Sequence, residues 1–454
     1  MSVDRGSRRR DFLRLFAGAG LLSTAGCSAV SFASGQSFAV PDASLTDESI
    51  AIEIDGLEPG TTLTVRASSR SRDGIDWEAH ATFDVGDDGT LSVPTRTPID
   101  GSYESADPMG LFWSKRPAGA KPDRPLPPSA LFLPDDEGYE VTLLAEVDNR
   151  TVAETTTTRR LFDPAVERRA VPDSEIVGDF FAPPGNEPAP TVLVLHGSGG
   201  EPFRGTAGLL ASHGIAALAL QYFGDPEPIP DALLEVPVEY AERALTWLRD
   251  QDEVAGPEIG LFGFSRGGSL ALLLGSRSDE IGAIVGWVPS GVVWEGLYAD
   301  RTPAGTSAWS IAGEPIPFLE TANADTDSLP APPLPYYEPA LRSAGDDALA
   351  AATIPVEEAD APIFLASATD DMVWPSTMLS ERIVARLDAN DYPYEYGHDA
   401  HTGAGHYIRL PYLPTAGTTK DEYVVYGGSQ EANARASSGA WFETLSFFEN
   451  TLGA

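Results

Sequence analysis

Residues 259–277, IGLFGFSRGGSLALLLGSR, decide how the chain folds. The centre of the stretch, GFSRGG at 263–268, fits Gly-x-Ser-x-Gly. On its own that pattern matches an ordinary glycine-rich turn as well as a reactive serine, so its flanks have to be read with it. IGLFG is a short unbroken apolar run, the mark of a strand buried on both faces. GGSLALLLGS reads as a helix. Ser265 therefore stands at a sharp strand-to-helix turn, where glycines at 263 and 267 leave room that side chains would fill. That context turns the reading towards a serine nucleophile.

The same grammar extends on both sides. PTVLVLHGSGG (190–200) is a buried strand closing on a glycine-rich turn. TAGLLASHGIAALALQYFG (206–224) reads as a helix ended by Gly214 and a second buried strand. EVPVEYAERALTWLRDQ (235–251) is an amphipathic helix with apolar residues at Val238, Ala241, Leu245 and Leu248. GAIVGWVPSG (282–291) and APIFLASATDD (361–371) supply further buried strands. Strands alternating with helices predict a parallel sheet covered on both faces, an α/β-hydrolase fold over residues 166–454.

Residues 45–165 follow a different rhythm. SIAIEI, TLTVRAS and HATFDV alternate apolar and polar residues between glycine-containing turns, and YEVTLLAEV and TVAETTTTRRLF continue the pattern. Short strands at this spacing predict an N-terminal antiparallel β-sandwich of immunoglobulin-like type. GSYESADPMGLFWS (101–114) interrupts it as an aromatic loop, VERRAV (166–171) reads as the joint to the second domain, and His80 as a structural histidine.

Charge narrows the setting. The chain has 68 acidic and 30 basic residues, a formal net charge of −38, with 42% hydrophobic residues. The charge repels phosphate backbones and anionic lipid, which excludes nucleic acid as a partner. The apolar content argues for folded cores rather than disorder. Lysine occurs only at Lys115, Lys121 and Lys420. An acidic, lysine-poor surface over an ordinary core reads as adaptation to concentrated salt, the mark of a halophile's protein.

The first 27 residues read as an address. RRRDFLRLF carries Arg9 and Arg10 ahead of Phe12 and Leu13 and resembles a twin-arginine export signal. The apolar run is shorter than the roughly 20 residues that span a bilayer. It ends in STAGC, which resembles a lipoprotein cleavage box with Thr24 in place of the usual leucine. Cys27 is the only cysteine, so the sequence predicts a lipid anchor on the outer face of the membrane as the sole membrane contact, followed by a tether over 28–44.

A serine nucleophile needs a base held by a third group. In this fold the chain order is serine, acid, histidine, and only His398, His401 and His406 follow Ser265. His406 lies in the small-residue loop TGAGHYI and is the expected base. Asp370 and Asp371 both end APIFLASATDD; Asp371, with Pro375 following, is the expected acid. The oxyanion hole is expected from the backbone N–H of Arg266 and of Ser198, with Gly199 close by and His196 packing the loop. His398, Asp399, His401 and His406 lack the spacing of a metal site, and neither metal nor cofactor is called for.

Together these motifs resemble one family. The chain is similar to the acyl-CoA thioester hydrolase and bile acid-CoA:amino acid N-acyltransferase family from residue 45 onward. The resemblance rests on GLEPGTTLTVRAS and GSYESADPMGLFWS in the first half. In the second it rests on LHGSGG, LQYFG, EVPVEYAERALTWL, GFSRGGSLALLLGSR, PSGVVWEG, DDMVWPS and GAGHYIRLPYLPT. It implies Ser265, Asp371 and His406 as a triad acting on a small acyl thioester through an acyl-serine. Conjugating members carry cysteine as nucleophile, so serine here implies water as acceptor. An exported member would meet little coenzyme A ester, which leaves other acyl esters open, and with them a carboxylesterase or lipase-like enzyme, an N-acyltransferase or a surface binding protein with a vestigial site. The proline- and acid-rich segment 299–357 is expected to cap the site.

Overall fold

The computed structural model describes residues 35–120, 131–171, 175–225, 228–321, 333–417, 419–420 and 424–453. The export signal, Cys27 and the first part of the expected tether lie outside them.

The first part of the chain builds two sheets. Strands Ser37–Ala39, Glu53–Asp55 and Leu91–Ser92 form the smaller. The larger is built on Thr62–Arg70, Asp76–Asp84, Gly138–Val147 and Arg150–Arg160. Alternate residues of these long strands turn inward, and Ile54 and Leu91 from the small sheet join Val65, Trp77 and Val141 from the large one in a single core. This period-two burial is why the sequence alternates.

Three expectations need correction here. The stretch expected as a tether holds two strands, Ser37–Ala39 and Ala43–Leu45, because Phe38 and Val40 are buried and Ala43 pairs with Thr158. That last pairing is parallel, so the sheet is not wholly antiparallel. The aromatic loop is no mere excursion: its helical turn Gly110–Trp113 is buried throughout and puts Leu111 and Phe112 into the core.

The second part of the chain forms an eight-stranded sheet. Its strands are β1 (Glu167–Ala170), β2 (Val177–Ala182), β3 (Thr191–Leu195), β4 (Ala216–Gln221), β5 (Ile259–Phe264), β6 (Ile281–Trp287), β7 (Ile363–Ala368) and β8 (Tyr396–His401). They lie in the order β1-β2-β4-β3-β5-β6-β7-β8. The β1/β2 and β2/β4 pairs are antiparallel and the remainder parallel. The arginine-rich stretch expected as a joint is thus the first strand of the sheet. Arg168 and Arg169 lay their guanidinium groups over Phe181 and Phe180, so even these long cations pack on it.

Helices cover both faces. Leu193, Leu261 and Ile284 face α2 (Val238–Arg249), α3 (Arg266–Gly275) and α5 (Ser376–Ala389). Their neighbours Val192, Phe262 and Val285 face α1 (Arg204–Ser212) and α6 (Gln430–Leu452). Between β6 and β7 the chain leaves the sheet for a cap that includes α4 (Leu334–Ser343). Helix α6 also reaches the first part of the chain. Asp47 Oδ2 accepts from His213 Nε2 at 2.7 Å and from Trp441 Nε1 at 2.8 Å, and Gln430 Nε2 donates to the carbonyls of Trp113 and Lys115. Among the described residues no helix is long and apolar enough to cross a membrane.

Candidate active site

Strand β5 ends at Phe264, and α3 begins at Arg266. Ser265, between them, is held at φ 55° and ψ −119°, a conformation that costs a non-glycine residue energy and is kept only by its surroundings. Those surroundings are very close. A Cβ on Gly263 would lie 2.1 Å from the Gly267 carbonyl oxygen, and one on Gly267 would lie 2.3 Å from that of His196. Only glycine fits at either place.

His406 lies against Ser265. Its Nε2 is 2.9 Å from Ser265 Oγ, and its Nδ1 is 2.8 Å from Asp371 Oδ2. With Nδ1–H donated to the carboxylate, Nε2 is left to accept from the serine hydroxyl. The other carboxylate oxygen, Asp371 Oδ1, accepts from the N–H groups of Val373 and Trp374, which fixes the acid before the imidazole is placed. The loop carrying His406 is pinned by its own N–H on the Tyr426 carbonyl and by Gly405 N–H on Asn433 of α6. Ser265, Asp371 and His406 are all buried. Phe264 and Trp374 close edge-on around the imidazole. The structure thus brings the three residues together.

Asp370 faces the other way. Its Oδ2 accepts from Gly428 N–H at 2.9 Å, so it holds the neighbouring loop rather than His406. His398 and His401 sit on β8, an edge strand whose polar, partly buried residues give no apolar run to read. His398 Nε2 pairs with Ser367 Oγ at 2.7 Å, and its pKa is pushed down to about 4 by burial and by the neighbouring His401. Among the described residues no three His, Cys, Asp or Glu side chains are grouped to hold a metal.

Ser198 and Gly199 line the same cavity as Ser265, and Arg266 opens α3 directly after it. His196 fixes the Ser198 loop. Its ring stacks on Tyr222 with centroids 4.0 Å apart, its Nδ1 meets the Gly197 carbonyl, and Tyr222 N–H points at its Nε2.

The cavity over Ser265 has a volume of about 520 Å³. Phe203, Phe264 and Tyr407 form one wall, and the segment expected to cap the site contributes Arg301, Tyr336 and Tyr337 among others. The side chain of Arg266 went unread in the sequence. It is 2% exposed, its Nη2 donates to the Tyr337 hydroxyl at 3.0 Å, and it lies over the rings of Tyr337 and Trp374. Only the cap's fold brings Tyr337 to it, so no local signal could have revealed the contact.

Comparison with known proteins adds to this geometry. Residues 47–173 match the family model for the acyl-CoA thioester hydrolase/BAAT N-terminal region, and residues 236–454 match that for the BAAT/acyl-CoA thioester hydrolase C terminal. The chain is 28% identical over 429 residues to the peroxisomal succinyl-coenzyme A thioesterase of Mus musculus, covering 90% of this chain and 94% of that one. It is 30% identical over 423 residues to the mitochondrial acyl-coenzyme A thioesterase 2 of Mus musculus, covering 90% and 87% respectively. A solved dienelactone hydrolase-like phosphotriesterase from metagenomic libraries superposes on 64% of this chain and 100% of its own, with a TM-score of 0.40 at 16% identity.

Proposed function

Since the chain belongs to the acyl-CoA thioester hydrolase/BAAT family, we propose that it hydrolyses acyl thioesters through an acyl enzyme on Ser265. The observation that carries the reading is the position of His406, within hydrogen-bond reach of both Ser265 Oγ and Asp371 Oδ2.

Ser265 Oγ attacks the acyl carbon while His406 Nε2 takes its proton. Asp371 keeps the proton on Nδ1 and stabilises the imidazolium that forms. The N–H groups of Arg266 and Ser198 receive the oxyanion, each worth about 3 kcal/mol of barrier. The tetrahedral intermediate collapses, the C–S bond breaks, and the imidazolium protonates the departing thiolate. Water then attacks the acyl-serine with His406 as base, releasing the acid and restoring Ser265. A serine ester is less reactive to amines than a thioester, which supports water as the acceptor. The two sheets of the first part, sharing one core, are read as a sandwich of immunoglobulin-like type that braces the catalytic part. Export by the twin-arginine route and a lipid anchor at Cys27 complete the proposal, on the strength of the RRRDFLRLF and STAGC motifs.

A fluorophosphonate should label Ser265, and Ser265→Ala should lose both the label and the turnover of acyl-CoA and p-nitrophenyl esters. Full turnover in Ser265→Ala would overturn the assignment.

A further inference from the structure

We propose that Glu295 is a positioning residue that fixes the acyl end of the cavity over Ser265, and with it the enzyme's choice among acyl lengths. The inference rests on Ser265 as the acyl acceptor.

The first part of the cap is a hairpin. Strand Glu295–Leu297 pairs antiparallel with strand Pro303–Ser307, and the Tyr298 N–H closes the turn on the Thr302 carbonyl at 3.0 Å. Glu295 opens the hairpin, yet its side chain is 3% exposed. Its Oε1 accepts from both the N–H and the hydroxyl of Thr321, each at 2.5 Å, and its Oε2 accepts from the Gly305 N–H at 3.1 Å. These partners are neutral. A carboxylate taken out of water without a cation is costly unless hydrogen bonds replace those it loses. Here three donors converge on one group, and they belong to two segments of the cap. The carboxylate therefore ties the hairpin to Thr321, 26 positions further along the chain.

Both tied segments face the substrate. Leu297, Thr302 and Pro303 from the hairpin line the cavity over Ser265, and so does Thr321. Glu295 is not among the lining residues, so it acts through them. The two ends of that cavity have different tasks. His406 protonates the departing thiolate, which places the thiol beside His406 and Tyr407. The cavity also shares Ser198, Gly199, Leu297 and Arg301 with a neighbouring hollow of about 320 Å³, whose lining includes neither Phe264 nor His406 nor Tyr407. The acyl chain, leading away from the thiol, extends towards this end and meets the hairpin. A short acyl group stops before the wall that Glu295 holds, whereas a longer one lies along it.

The test compares S-acetyl and S-octanoyl N-acetylcysteamine, two thioesters with the same thiol, so any effect on the leaving group cancels. Glu295→Gln keeps the shape but sets an amide N–H against one of the three donors. It should lower the ratio of kcat/KM for octanoyl over acetyl by about tenfold, chiefly through a higher KM for the octanoyl thioester. Thr321→Val removes one donor from the other side of the tie and should lower the same ratio. In the double variant the two effects should be less than additive, because each breaks the same contact. A general loosening of the fold would depress both thioesters together and leave their ratio where it was. An unchanged ratio in Glu295→Gln, or a change in it that Thr321→Val does not share, would overturn the proposal. Fluorophosphonate labelling of Ser265 in both variants, and loss of turnover in Ser265→Ala, judge the nucleophile separately from the tie.

Discussion

Arg266 Nη2 donates to the Tyr337 hydroxyl across 3.0 Å, so the residue next to Ser265 holds the aromatic wall of the cavity over it. Among the ion pairs of the described residues Arg266 has no carboxylate, and the rings of Tyr337 and Trp374 take that place. Tyr337→Phe keeps the ring but leaves a buried charged donor without its acceptor, a loss of about 1–3 kcal/mol. The expected result is a lower melting temperature and a fall in kcat/KM for acyl thioesters as the wall loosens, while Ser265 still takes the fluorophosphonate label. Unchanged kinetics would mean that the wall stands without the contact.

Asp371 and Asp370 are neighbours with different partners, and substitution should separate them. Asp371→Asn should lower kcat by about 10⁴, because the amide favours the wrong imidazole tautomer. Asp370→Asn keeps an oxygen to accept from Gly428 and should leave kcat within about threefold. His406→Ala should cost nearly as much as Ser265→Ala, since the members of a triad act as a unit. Steady-state rates on one thioester decide all three.

Two histidines give the stability profile opposite slopes. His398 has its folded pKa pushed down to about 4 by burial and by His401, below the ordinary value of about 6.5. The native state therefore favours the neutral ring. Its stabilisation is complete above about pH 6.5 and is lost as pH falls towards 4. For His213 burial acts downward, but the hydrogen bond and charge of Asp47 prevail and raise it. Its contribution is present below about pH 6.5 and is lost as pH rises through the raised value. Melting temperatures between pH 4 and 8 should show a shallower acid limb in His398→Gln and a flatter upper limb in His213→Gln. Parallel curves for wild type and variants would refute both assignments.

The net charge of −38 predicts a protein stabilised by salt. The Debye length shrinks from about 10 Å at 0.1 M to about 3 Å at 1 M, so surface repulsion fades over that interval. The melting temperature should climb with potassium chloride across it. A flat response would remove the case for adaptation to concentrated salt.

Cys27→Ser should move the protein from the membrane fraction to the medium, if the leader acts as an export signal and the cysteine carries the lipid. One acyl chain binds with only about 10⁴ per molar, so retention depends on the full modification. Unaltered retention of the variant would exclude the anchor.

The strand–Ser265–helix turn was legible because a strand buried on both faces leaves a continuous apolar run, and the tight turn needs glycines at 263 and 267. The buried strands β3 to β7 were legible for the same reason. What escaped notice sits at the edges and beside one, where β2 runs Val-Gly-Asp-Phe-Phe-Ala with a carboxylate in its middle. Strand β1 is Glu-Arg-Arg-Ala, where long cations cover aromatic rings, and β8 runs through His398 and His401 with one open side. Neither offers the apolar run that marks a central strand. Chain order narrowed the base to three histidines; choosing among them, and between Asp370 and Asp371, depends on which loop reaches Ser265. Contacts such as Arg266 with Tyr337 belong to the cap's tertiary arrangement, which no local pattern encodes.

Helix α6 sets the order in which the protein can be completed as it is made. Asp47 and Trp441 are 394 positions apart, and the carbonyls of Trp113 and Lys115 receive Gln430. The opening sheets leave the ribosome first, yet part of their polar contact with the rest waits for α6, while His213 and Arg409 supply other parts earlier. A premature stop before Gln430 would therefore remove more than a tail. It would deprive the first-made half of these contacts and the His406 loop of Asn433 at the same stroke, so a product of translation interrupted there would be both loose and inert.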